Sequence, residues 1–203
     1  FINMSVDYWW FFIHLSSAEE TDILPFYQNA LQQAVLSDSS KDILQQWRDN
    51  PEDFIFRNDD WVLFYNRFIS AFIVPSFQNF GEQLISEQLI PEWKLNENNC
   101  FNFISMNRCS PVAALFYALK PELADRIPGF MGNMFIRPHE IKQALNLVEE
   151  VFNKIDYQTL NFQASSLIMG TDDAFHILNA LPKALASANE KDCSLLTLAM
   201  RAW

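Results

Sequence analysis

Val6-Asp7-Tyr8-Trp9-Trp10-Phe11-Phe12-Ile13-His14-Leu15 runs directly into Ser16-Ser17-Ala18-Glu19-Glu20. The first stretch is dense in aromatic and β-branched residues, is too short to span a bilayer and ends at a serine pair, which predicts a buried strand. Its partner stretch offers two registers of the Ser-x-x-Glu capping box, in which serine accepts from an early helical amide and glutamate reaches back to the serine amide. A strand therefore feeds a capped helix carrying Leu24, Tyr27, Leu31, Ala34 and Val35 at spacings of three and four, with Pro25 tolerable only if that helix starts late.

Further along, Lys41–Trp47 reads as a short helix with Ile43, Leu44 and Trp47 on one side, ended by Asp49-Asn50-Pro51. One long helix is expected from Trp61 to about Ile90, kinked at Pro75 or Gly81, its first half apolar nearly all round and so central in the core. Cys100–Met106 alternates like a strand. Ser110 caps a helix that starts on Pro111 and runs through Leu119, and Pro121, Pro128, Gly129 and Gly132 mark an irregular connection. Arg137-Pro138-His139-Glu140 opens an amphipathic helix to about Ile155, facing inward with Ile141, Leu145, Val148 and Phe152, and closed by Asn153 or Asp156. Thr171-Asp172-Asp173 caps another, with Phe175, Leu178, Leu181 and Leu185 on one stripe. Cys193–Met200 fits either a strand or a short helix. The sum is a predominantly helical α+β fold of about six helices packed with a small sheet of two or three strands, in one globular domain over 1–203. Phe1-Ile2-Asn3 ahead of Met4 reads as an expression remnant.

Composition narrows the function. The chain holds 203 residues, half of them hydrophobic, with 25 acids against 14 bases and a formal net charge of −11. That charge opposes direct binding to nucleic acid. Four glycines, where average usage gives roughly 14, leave little material for phosphate-cradling loops. Three cysteines, Cys100, Cys109 and Cys193, match no zinc or redox spacing and are expected reduced. Asn66, Arg67, Pro75, Gln78 and Asn79 interrupt the most membrane-like stretch, and no basic region or cleavage site frames the first apolar run, so a cytoplasmic protein without a membrane span is expected.

Chemistry-bearing constellations are sparse. His139-Glu140 begins like His-Glu-x-x-His, but Gln143 stands where the second histidine belongs, so no metal site is expected. No cofactor is expected either. Glu19-Glu20 and Asp172-Asp173 sit where helix N-termini favour negative charge, Asp59-Asp60 precedes the Trp61 helix in the same way, and Glu149-Glu150 falls on a polar face. His14, His139 and His176 lie in separate elements, with no nucleophile elbow or glycine-rich oxyanion loop beside any serine or cysteine, so no catalytic residue is assigned. An enzyme gathering His14, His139, His176 and Cys109 in one pocket remains an alternative reading.

The most informative mixture is the acidic set around residues 38–61. Asp38, Asp42, Asp49, Glu52, Asp53, Asp59 and Asp60 are interleaved with Trp47, Phe54, Phe56 and Trp61, and eleven of the 25 acids but only three of the 14 bases lie in residues 1–60. Aromatic anchors inside a charged surround suit a protein interface, in which charge guides encounter and the rings supply affinity. Asp49, Glu52, Asp53, Asp59, Asp60, Trp47, Phe56 and Trp61 are thus the candidate partner-binding residues, against the plainer reading of a solvated loop whose aromatics turn into the core.

With a strand entering a capped helix, the Phe-Ile-Arg-Pro-His-Glu-Ile helix start at Phe135–Ile141 and a last helix passing into an apolar terminus, the order resembles small acidic bacterial immunity proteins of interbacterial competition systems. The resemblance implies a non-enzymatic cytoplasmic protein that neutralises a cognate protein toxin by binding it. A basic nuclease-type toxin domain would match the acidic field. An oligomeric structural or scaffold protein burying the same aromatics is the third reading.

Overall fold

The computed structural model describes residues 6–52, 54, 60–87, 89–90, 94, 100–168 and 174–202. In chain order these form β1 (Asp7–Leu15), α1 (Ser17–Gln32), α2 (Asp38–Asp49), α3 (Trp61–Ser70), α4 (Pro75–Ser86), β2 (Phe101–Asn107), α5 (Pro111–Ala124), β3 (Met134–Ile136), α6 (Pro138–Phe152), α7 (Tyr157–Ile168), α8 (Ala174–Lys191) and β4 (Ser194–Arg201). The strands make one antiparallel sheet in the order β2-β1-β4-β3.

β1 and β4 are the two inner strands, and both of their faces are covered. Trp10 and Phe12 join a core with buried residues of α2, α3 and α5 to α8, whereas Phe11, Ile13 and Leu15 join a second core with α1 and α4. Burial on both sides removes the need for a polar alternate position, which is why the β1 sequence is apolar almost throughout. β4 settles the choice left open for Cys193–Met200: it is a strand, and Ser194–Met200 are all buried.

Local chemistry starts α1 as expected, although its buried face is Ile23, Tyr27 and Ala30, and Leu31 and Val35 of the expected stripe are exposed. The Ser16 hydroxyl oxygen accepts from Glu19 N at 3.4 Å, and Glu19 Oε2 accepts from Ser16 N at 2.8 Å, closing the capping box. The helix then runs through Pro25 instead of starting after it. Pro25 lies on the exposed side, where water can meet the carbonyl its missing N–H leaves unpaired.

The described residues hold eight helices and four strands, more than the roughly six and two or three expected. The long helix expected from Trp61 is two, α3 and α4, separated at residues 71–74 because Pro75 takes the first helical position of α4. The first turn of α3 is also exposed, not central. Asp156 does not close α6 but opens α7, accepting from Thr159 N at 2.9 Å. β3 is three residues long, too short for any periodicity to register. The Thr171-Asp172-Asp173 cap lies outside the described residues.

α4 crosses β4 at Gly81. A Cβ there would overlap the Met200 sulfur and sit 2.7 Å from its Cε, and Met200 is fully buried. Gly81→Ala is therefore expected to lower stability by about 1–3 kcal/mol, although alanine is the better helix former by roughly 1 kcal/mol. Thermal unfolding of the variant checks this; a rise in Tm would mean that Met200 repacks freely.

Candidate functional site

Four of the eight predicted partner-binding residues, Asp49, Glu52, Asp60 and Trp61, are described and exposed at the acidic corner formed by the ends of α2 and α3. Trp47 is not: only 1% exposed, it packs edge-on against Phe68 with centroids 5.3 Å apart, so it belongs to the core and leaves the candidate face. Its spacing with Ile43 and Leu44 turns it inward along the amphipathic stripe of α2. Phe54 is likewise buried. Asp53, Phe56 and Asp59 lie outside the described residues.

Part of the acidity at this corner is neutralised from within. Arg67 pairs with Asp42 at 2.8 Å, Lys120 with Glu52 at 3.1 Å and Lys41 with Asp38 at 3.3 Å. The Arg67 guanidinium, helped by the Gln46 amide, holds the Asp42 carboxyl below the ordinary aspartate range. Asp49 accepts from Gln45 Nε2 at 2.8 Å. Asp60 occupies the N-cap of α3 without a side-chain cap bond. Beside it, Trp61, Val62 and Leu63 are 37%, 51% and 55% exposed, three consecutive large apolar side chains facing solvent at a charged corner.

A second feature is a cleft of about 470 Å³ between the sheet and α8. β2 is an edge strand, and α8 packs on β1 and β4. The register puts Phe12 opposite Asn102 and Trp10 opposite Ile104, so these side chains share the sheet face that looks toward α8. Phe12, His14, Asn102 and Ile104 form one wall. From α8 come His176, Asn179, Ala180, Lys183, Ala184 and Ser187, a stripe at helical spacing whose small members leave the space open.

Hydrogen bonding fixes several of these groups. His14 Nε2–H donates to the Ala184 carbonyl at 3.0 Å, tying β1 to α8. Asn102 Oδ1 accepts from Phe103 N at 2.8 Å, and Asn179 Nδ2 donates to the Phe175 carbonyl at 2.8 Å. Lys183 Nζ stands 5.3 Å from the centre of the Phe175 ring. None of the described lining residues is Asp or Glu.

The structure brings together two of the four residues of the enzymatic alternative. His14 and His176 share the cleft, joined by Cys100. Cys109 is fully buried elsewhere, with its Sγ 3.5 Å from the Ser110 carbonyl. His139 is exposed in the first turn of α6, where Glu140 Oε2 accepts from Arg137 N at 3.0 Å and so serves as a cap. Sequence reasoning missed Lys183, Asn102 and Asn179. The signal lay in α8, where polar and small residues recur at helical spacing alongside the buried Leu178, Leu181 and Leu185.

Among the described residues, no group of three or more His, Cys, Asp or Glu side chains is arranged to hold a metal ion, and no helix is long and apolar enough to cross a membrane. No family model, curated protein or solved structure matches the chain.

Proposed function

We propose that this chain is a toxin-neutralising binding protein of the immunity type, which captures a basic protein domain at the corner formed by α2 and α3. The observation that carries the reading is the exposed run Trp61-Val62-Leu63 beside Asp60, with Asp49 and Glu52 on the same acidic stretch of chain. A soluble monomer has little reason to expose three large apolar residues in succession, and such a patch rimmed by charge is the composition of a docking surface. The net charge of −11 favours a cationic partner, accelerating encounter over long range while the apolar patch supplies the lasting contact.

The test is co-expression with the product of the neighbouring gene, followed by measurement of its toxicity, of complex mass and of association kinetics. A stoichiometric complex and relief of toxicity are expected. Val62→Lys with Leu63→Lys should weaken the complex at least about tenfold, and leave unfolding unchanged because both positions are exposed. Asp59→Lys with Asp60→Lys should slow association at low salt, with the difference shrinking as salt screens the field. A complex indifferent to all four changes would remove this face; no complex, with the chain self-associating in solution, would favour the scaffold reading.

A further inference from the structure

We infer that the cleft between β2 and α8 is a binding site for a small organic anion with a flat apolar body. It is separate from the α2–α3 corner and does not depend on the partner proposed there. Its volume of about 470 Å³ lies within the range of small-molecule sites, which pair apolar walls with a few placed polar groups.

The apolar part is supplied by Phe12 and Ile104, one buried and one partly buried, facing the small side chains of Ala180 and Ala184. A planar ring or short acyl body fits between a sheet face and a helix stripe of this kind. The polar part selects charge. On a chain with 25 acids and 14 bases, the described lining contains a lysine and two histidines and no carboxylate.

Three further details point the same way. Lys183 is exposed and has no carboxylate partner among the described residues, while its cation–π contact with Phe175 holds the ammonium beside α8. Asn102 has committed its amide oxygen to Phe103 N, so its NH₂ is the group left to donate. His14 has its Nε2–H on the Ala184 carbonyl, which braces the inner wall instead of consuming a group at the mouth. An anionic head would meet Lys183 and His176 at the mouth with its body directed toward Phe12. Carboxylate and phosphate heads share this chemistry, whereas a cation would face Lys183 unfavourably.

The experiment is calorimetric titration of the intact chain with benzoate, phenyl phosphate, benzyl alcohol and benzylamine at matched ionic strength, with amide spectra to locate the contacts. At least one anion is expected to saturate, at least about tenfold tighter than benzylamine, with shifts at the Asn102 and Asn179 side-chain amides. Preference for benzoate assigns a carboxylate head, and preference for phenyl phosphate a phosphate head. Lys183→Met should weaken the anion about fivefold or more, with His176→Ala adding to the loss; both sites are exposed, so unchanged thermal unfolding is expected alongside. No saturation by either anion up to roughly 10 mM, equal binding of benzylamine, or an affinity indifferent to Lys183→Met would each overturn the inference.

Discussion

Glu19→Gln is expected to lower the stability of the fold by about 3 kcal/mol. Lys94 is buried, with its side chain only 4% exposed, and its ammonium pairs with Glu19 Oε2, itself 18% exposed. The same carboxylate accepts from Ser16 N at 2.8 Å and from the Ser16 hydroxyl at 2.7 Å. Glutamine has the same shape and keeps an oxygen for the cap, so the variant isolates the charge. What it leaves behind is a buried ammonium facing a neutral amide, and an uncompensated buried charge costs far more than the pair was worth. Burial alone would raise the Glu19 pKa, but the bonds from Lys94 and from the Ser16 amide and hydroxyl outweigh it and hold the carboxyl below its ordinary 4.5. A folded-state value below the unfolded one adds stability that is fully present above about pH 4.5 and drains away as pH falls through the folded value. Denaturant unfolding should therefore show the largest gap between wild type and Glu19→Gln near pH 7, closing toward pH 3. Lys94→Met should cost less, since Glu19 keeps its two Ser16 donors and some water. A gap below about 1 kcal/mol at pH 7 would mean that Lys94 reaches solvent when its partner is gone.

Which features were legible in the sequence follows from how far apart their causes lie. The Ser16 cap, the Ser110-Pro111 start and the Arg137-Pro138-His139-Glu140 start are each decided within four residues, and each stands where it was expected. The α3–α4 break falls before Pro75, one of the two positions the sequence marks, but Trp61 to Ile90 is apolar enough to read as one kinked helix instead of two. α7 was hidden because Asp156 serves equally well as the end of one pattern and the start of the next, and its hydrogen bond to Thr159 N decides the matter. Trp47 illustrates a conflict already present in the chain. Its acidic neighbours suggested an anchor, while its spacing with Ile43 and Leu44 placed it on an inward stripe, and the stripe won because indole burial outweighs anything adjacent exposed charges contribute. The cleft was legible only as the stripe of small and polar residues on α8, not as a cavity. It exists because α8 and β2, some seventy residues apart in sequence, approach the same sheet face without filling it, and no local pattern encodes a gap between two distant elements.

Gly132→Ala is the second large effect, expected at about 3 kcal/mol or more from two sources that act together. Gly132 has φ +81°, where an L side chain is strained by roughly 1–2 kcal/mol. Its Cβ would also lie 2.5 Å from Val112 Cγ1 and 2.7 Å from Cγ2. Val112 is fully buried in the first turn of α5, so relief requires moving the helix or twisting the corner. The corner resists twisting because the Gly132 carbonyl accepts from Trp10 Nε1 at 3.0 Å and from Thr197 Oγ1 at 2.7 Å. Next to it, Asn133 is fully buried, with Oδ1 accepting from Ala199 N at 2.9 Å and Nδ2 donating to the Phe130 carbonyl at 3.0 Å. This side chain thus continues the bonding of β4 one step past the place where the β3 backbone leaves it. A shifted Gly132 would put the Trp10 and Thr197 bonds at risk on β1 and β4, the two inner strands. The two sources can be separated by a second substitution. Val112→Ala alone should destabilise by leaving a cavity, yet combined with Gly132→Ala it makes room for the new methyl, so the double variant should be more stable than the sum of the singles by about 1 kcal/mol or more. The backbone strain would remain in both. Strict additivity in denaturant unfolding would assign the whole loss to the φ of +81° and none to Val112.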